Sequence, residues 1–138
     1  MQVWTIQLAR AKAAAKLGVP VLNTTVKCGD LTFAPTWEIV MDVKHGRISQ
    51  ETYTERYTQL MRESYKRYRA AWLEVADMPT VAIACMCPPG KFCHRHLLAD
   101  MFKAVCLKTG RNCILRGEWT DTFPAEKCEP LGKEKRST

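Results

Sequence analysis

Residues 80–96 read TVAIACMCPPGKFCHRH. The opening six, Thr80–Cys85, are almost wholly apolar and short, which predicts a strand inside a sheet covered on both faces. The run passes into Cys85-Met86-Cys87, then into the stiff turn formers Pro88-Pro89-Gly90. Beyond Cys93 the pattern changes period. Leu97, Leu98, Met101, Phe102 and Val105 recur at three- and four-residue intervals, and Gly110 closes the run, which predicts a helix with that face inward. A strand, a turn and a helix in this order are half of a parallel β-α-β unit.

The flanking sequence repeats the alternation. VWTI near the amino terminus predicts a short strand, and the alanine-rich stretch Leu8–Leu17 a helix stopped by Gly18. VPVLNTTV predicts a second strand, with Pro20 near its start where a lost donor is tolerated. Pro35-Thr36 is expected to open a helix carrying Trp37, Ile39, Val40 and Val43, ended by Gly46. Ser49 is the expected N-cap of one long helix whose apolar stripe includes Tyr53, Tyr57, Leu60, Met61, Tyr65, Tyr68 and Trp72. Thr52 occupies its third helical position, so a full capping box does not form. Pro79 ends that segment, and NCILRG offers a last short strand. These elements predict an α/β domain with a mostly parallel sheet over residues 1–122, followed by a polar tail, 123–138.

With 138 residues, 46% of them hydrophobic, the chain suits one domain with a real core. The net charge of +7 favours anionic partners without selecting one. No run of about 18 apolar residues occurs, so no membrane partner is expected. The seven cysteines cannot all pair within the chain, and no secretory leader precedes them. A reducing compartment, the cytoplasm, is the expectation.

Three of those cysteines, Cys85, Cys87 and Cys93, fall within nine residues, with His94 and Arg95 following. In open parallel sheets ligands sit beyond the carboxyl ends of the strands, where this cluster is expected. Cys93 stands near a helix start, whose free N–H groups favour anions and thiolates; Lys91 and Arg95 add positive charge. Three readings follow. Cys93 is a nucleophile or polar anchor, with Arg95 holding an anion. Alternatively, Cys85, Cys87, Cys93 and His94 are the soft donors of a zinc site, although C-x-C-x5-C-H is not the usual paired C-x2-C spacing and adjacent Cys93 and His94 seldom reach one ion together. In the third, the cysteines are small hydrophobes in a buried loop.

A C-x5-R phosphatase loop, a C-x-x-C pair, G-x-G-x-x-G and G-x-x-x-x-G-K-[ST] are all absent, so no cofactor is assigned. A second wall of the same crevice is expected just past the second strand, at Thr24, Thr25, Lys27, Cys28, Gly29 and Asp30. There Lys27 would neutralise a phosphate or carboxylate, the threonine hydroxyls would orient it, and Asp30 would serve as acid or base. The plainer reading of this stretch is a polar turn. Arg10, after the first strand, and Glu118 with Trp119, after the last, are candidates to complete the site. A nucleic-acid surface on segment 50–75 is the alternative, with Arg62, Lys66, Arg67 and Arg69 beside Tyr65 and Tyr68. That segment carries five basic and four acidic residues, a net of only +1.

The strings ACMCPPGKFCHRHLLAD, TTVKCGDLTFAPTW and YTERYTQLMRESYKRY together resemble the short phage and bacterial branch of the domain of unknown function 488 family. The resemblance runs over about residues 3 to 119. It implies a small three-layer, Rossmann-like α/β domain. The positions it marks are Cys85 or Cys87, then Cys93, His94 and Arg95, with Thr25, Lys27 and Gly29 upstream. Cys28 replaces the serine common in that branch, and Met86 an aromatic. Together these readings predict an enzyme-like domain for an anionic, nucleotide- or nucleoside-like small molecule. Cys93, His94 and Asp30 would be catalytic, and Arg95, Lys27, Thr25, Gly29, Cys85, Cys87 and Arg10 would bind the ligand. No metal is assigned in that preferred reading; a zinc-stabilised interaction module is a further alternative.

Overall fold

The computed structural model describes residues 1–87 and 92–120. The turn residues Pro88–Gly90, Lys91 and the expected tail 123–138 lie outside them. Strand β1 (Gln2–Gln7) leads through a short 3-10 turn (Leu8–Arg10) into helix α1 (Ala11–Lys16) and strand β2 (Val21–Asn23). Helices α2 (Trp37–Lys44), α3 (Gln50–Arg67) and α4 (Arg69–Ala76) follow. Strand β3 (Thr80–Cys85), helix α5 (His94–Lys108) and strand β4 (Ile114–Glu118) complete the described chain.

The four strands form one sheet in the order β2-β3-β1-β4, every pairing parallel. This is the mixed α/β, parallel-sheet architecture expected from the alternating pattern, and it is Rossmann-like, as the family resemblance implied. β1 and β3 lie in the middle and pair from Gln2 with Thr80 through Gln7 with Cys85. Parallel pairing puts Gln7, Asn23, Cys85 and Glu118 at one edge.

Side chains alternate between the two faces. Val3, Val81 and Ile83 join Phe33, Ile39, Tyr53, Tyr57, Met61, Trp72, Leu98 and Phe102 in the larger core under α2–α5. Trp4, Ile6, Ala82 and Ala84 meet Ala14 of α1 and Trp119 on the other face. That second layer is thin because α1 has six residues, and two tryptophans fill the space: Trp4 and Trp119 pack edge-to-face with ring centroids 4.8 Å apart. Small Ala82 and Ala84 let this layer sit close to the strand.

Two expected boundaries move. The second strand covers only Val21–Asn23 rather than VPVLNTTV, because Thr24 and Thr25 turn away into side-chain and backbone contacts of their own. The long helix is broken at Tyr68, which ends α3 and begins α4 with φ −123° and ψ 41°. The break lets α4 lay Trp72 back onto α3, where its indole N–H donates to Ser64 Oγ at 3.1 Å. Ser49 does cap α3, accepting from Thr52 N at 3.0 Å, and Thr36 caps α2 by accepting from Ile39 N at 3.3 Å. No helix among the described residues is long and apolar enough to cross a membrane.

Candidate functional site

Three strand ends converge at the carboxyl edge. Cys85 closes β3, Thr24 directly follows β2, and Glu118 closes β4. Helix α5 starts against them. Cys93 is its N-cap, with extended backbone at φ −158° and ψ 147°, and His94 and Arg95 are its first two helical residues. All four of Cys85, Cys93, His94 and Arg95 are buried.

The change from extended to helical backbone between Cys93 and His94 turns adjacent side chains to the same place. His94 Nδ1 lies 3.7 Å from Cys93 Sγ. The sulfurs of Cys85 and Cys93 stand at bonding distance, in a disulfide pairing, although their Cα atoms stand 7.9 Å apart. One donor atom from each of Cys85, Cys93 and His94 falls within 4.8 Å of the other two. The edge of the sheet thus carries a buried cluster of soft donors able to hold a metal ion or to do thiol chemistry. Sequence spacing argued against Cys93 and His94 reaching one point; the N-cap geometry brings them there.

The tautomer of His94 follows from its partners. Nε2 is 2.9 Å from the backbone oxygen of Thr24, which only accepts, so Nε2 carries the proton and donates. The Thr24 hydroxyl donates to Ala84 O at 2.9 Å and offers His94 Nε2 a lone pair at the same distance. Nδ1 keeps its own lone pair toward Cys93. Burial, working against the Thr24 hydrogen bond and aided by the charge of Arg95, pulls His94 down to about 4. The imidazole is therefore neutral at neutral pH.

Arg95 is fully buried and spans the cluster. Its Nη1 donates to the Cys87 carbonyl at 2.8 Å and to Cys85 Sγ at 3.1 Å. Its Nε and Nη2 meet the two carboxylate oxygens of Glu118 at 3.3 and 3.1 Å, a bidentate pairing. Thr5 Oγ1 in β1 donates to the same carboxylate at 2.6 Å. The guanidinium expected to hold a ligand's charge thus faces Glu118 and the Cys85 sulfur. Tyr57 and Tyr53 of α3 wall the cluster: the Tyr57 ring is 5.4 Å from that of His94, and Tyr53 lies between Tyr57 and Phe92. Burial, and then the proximity of Cys87, raises the Tyr53 hydroxyl well above the usual phenol range.

The second expected wall is built differently. Thr25 is buried, and its N–H and hydroxyl both donate to Asn23 Oδ1, at 3.0 and 2.9 Å; Cys28 Sγ lies 3.3 Å from its hydroxyl. Gly29 packs so tightly that a Cβ there would stand 2.6 Å from the Thr25 carbonyl oxygen and 2.7 Å from that of Asn23. Asp30 is exposed and accepts from Thr32 N at 2.9 Å, as a turn-forming aspartate does. Lys27 is exposed, its ammonium 5.1 Å from the Trp37 ring centroid. Trp37 belongs to a surface groove of about 490 Å3, lined also by Val26, Leu31, Met61, Arg67 and Tyr68. Arg10 sits in the 3-10 turn after β1. Of the predicted residues, Cys85, Cys93, His94 and Arg95 come together with Thr24, Glu118 and the Cys87 carbonyl. Lys27 and Asp30 do not join their hydrogen-bond network.

Residues 29–105 match the family model described as the active DUF488-N3 subclade, more than half of the 138 residues. The chain belongs to the DUF488 family. The matched stretch of this DUF488 domain holds Cys85, Cys87, Cys93, His94 and Arg95, whereas Thr24 and Glu118 lie outside it. No curated protein and no solved structure matches the chain.

Thr5 and the Tyr53–Tyr57 wall were not among the residues the sequence picked for catalysis or binding. Thr24 stood in the expected second wall, but nothing in its neighbourhood marked its carbonyl as the partner of a histidine 70 residues away. The tyrosines gave only a helical stripe, which reads as core.

Proposed function

We propose that this DUF488 domain is a thiol-dependent enzyme acting on an anionic, nucleotide- or nucleoside-like small molecule at the carboxyl edge of its sheet. The observation that carries the reading is the Cys93–His94 pair. A neutral imidazole, its tautomer held by the Thr24 carbonyl, presents a lone pair 3.7 Å from the sulfur of Cys93 at the start of a 15-residue helix, a thiol when the Cys85–Cys93 pair is reduced. The imidazole is placed to take the thiol proton as the sulfur attacks, and the helix N-terminus favours the developing thiolate, the nucleophilic form. Arg95 supports the pair by fixing Cys85 and the Cys87 backbone. The net charge of +7 and the strand-edge position favour an anionic ligand. The description of the matched subclade as active accords with catalysis.

The test is a thermal-shift screen of nucleosides, nucleotides and non-nucleotide anions, with each hit followed for conversion by mass spectrometry. At least one nucleotide or nucleoside is expected to raise the Tm and be converted. Cys93→Ser should keep the Tm shift and lose conversion. A screen with no nucleotide or nucleoside hit, or conversion undiminished in Cys93→Ser, overturns the proposal.

A further inference from the structure

We infer that Cys85, Cys93 and His94 together bind one soft divalent cation of the zinc type. The inference rests on the reactive-thiolate reading of the same site: the cation takes the place of the proton between Cys93 Sγ and His94 Nδ1, so in the loaded protein the cation, and not the imidazole, keeps Cys93 a thiolate.

Each donor is held in its ligand form by a different part of the fold. Cys85 Sγ receives an N–H from the buried Arg95 guanidinium at 3.1 Å, a contact that favours negative charge on the sulfur. Cys93 is the N-cap of α5, where the helix dipole acts in the same sense. His94 donates its Nε2 proton to the Thr24 carbonyl at 2.9 Å. Metal-bound histidines characteristically hold their second nitrogen in this way, which fixes the ring and raises the basicity of the ligating nitrogen.

Two sulfurs disposed toward negative charge and placed in contact in a buried site repel each other unless something joins them. A disulfide fits poorly. The 7.9 Å between the Cα atoms exceeds the roughly 4.4–6.8 Å that disulfides span without backbone movement. A cation fits better. A tetrahedral ion with bonds of about 2.3 Å to sulfur and about 2.0 Å to nitrogen separates those two donors by roughly 3.6 Å. Cys93 Sγ and His94 Nδ1 are 3.7 Å apart and the whole set lies within 4.8 Å; to share the ion, the two sulfurs part from bonding distance to roughly 3.8 Å. Two thiolates and one imidazole form a set that zinc prefers over magnesium or calcium. Binding releases one proton from each thiol and leaves the cation and two thiolates with no net charge.

The experiment uses the full chain, produced with zinc, kept reduced and dialysed against metal-free buffer. Elemental analysis should find about one equivalent of zinc. Cys85→Ser, Cys93→Ser and His94→Ala should each reduce it at least fivefold, whereas Cys106→Ser and Cys28→Ser should not. Cobalt exchanged into the wild-type chain should give thiolate-to-cobalt charge-transfer absorption, a readout that does not depend on variants folding. Less than about 0.2 equivalents of metal overturns the inference, as does metal lost equally in Cys28→Ser, or a cobalt spectrum without thiolate bands. If metal is absent while conversion still needs Cys93, this inference falls and the proposed function stands. If metal is bound but no nucleotide or nucleoside is, the reverse holds.

Discussion

The two walls at the carboxyl edge of the sheet carry similar residue types and are built in opposite ways. On the β3–α5 side, Cys85, Cys93, His94 and Arg95 are buried, and their polar atoms are committed to one another, to Thr24 and to Glu118. On the side that follows β2, Lys27, Cys28 and Asp30 are exposed, and the bonds of Thr25 and Asp30 serve the turn itself. A polar residue at the end of a parallel strand is therefore not enough to make a chemical site. The difference lies in whether a second element closes over it: α5 packs its first turn onto the β3 end, while the exposed ammonium of Lys27 lies over the Trp37 ring.

The largest test of this contrast is Arg95→Ala. It leaves the Glu118 carboxylate, the Cys87 carbonyl and the Cys85 sulfur without their common donor. Breaking a buried ion pair from one side costs about 3–5 kcal/mol, so the urea midpoint should fall sharply. Arg95→Lys should recover little of it, since one ammonium cannot meet two carboxylate oxygens and a carbonyl in a planar fork. A loss below about 1 kcal/mol would mean that this wall is no more interlocked than the other.

Gly29→Ala probes the exposed wall where it is tight. Its new methyl meets backbone atoms of Thr25 and Asn23, which cannot swing aside as a side chain can. An expected loss of about 2 kcal/mol would show that this turn is rigid though not chemical. A neutral result would show a turn free to rearrange.

Thr24→Val comes next, because Thr24 links the two walls. The variant removes the hydroxyl that donates to Ala84 and accepts from His94 but keeps the carbonyl that orients the ring. A cost of about 1 kcal/mol is expected. The nitrogen-15 shifts of His94 should still report a proton on Nε2. Migration of that proton to Nδ1 would contradict the carbonyl as the deciding partner.

The smallest effect belongs to Lys27→Ala. Loss of an exposed ammonium above Trp37 should change stability by less than about 0.5 kcal/mol. In a nucleotide or nucleoside binding titration, the same variant separates the walls. Unchanged affinity would confine the site to the β3–α5 side, and a tenfold loss would show that the turn contributes to it.

Much of this arrangement was legible in the chain because periodicity reports local geometry. The apolar run Thr80–Cys85, the helical spacing after Cys93 and the alanine-rich helix after the first strand each name an element, and their alternation names a parallel sheet. The break at Tyr68 was not legible. Tyr65, Tyr68 and Trp72 keep helical spacing across it, and only the packing of Trp72 onto Ser64 shows why the chain bends there. The partner of Arg95 was equally hard to name. Glu118 lies 23 residues away in sequence, and only the pairing of β4 with β1 brings it and Thr5 beside the start of α5.

By itself, the sequence determined the fold class, the carboxyl-edge position of the cysteine-rich segment, and which residues there bear soft or charged chemistry. Those properties depend on residue type and on spacing within about twenty residues, which hydrophobic pattern and turn chemistry record. The tertiary structure alone decided that Cys85, Cys93 and His94 converge, that His94 keeps its proton on Nε2, and that Arg95 faces Glu118 while Lys27 lies over Trp37. Each of those outcomes depends on a side chain meeting a partner on another element, and such meetings are set by sheet order and helix docking, which no local pattern encodes.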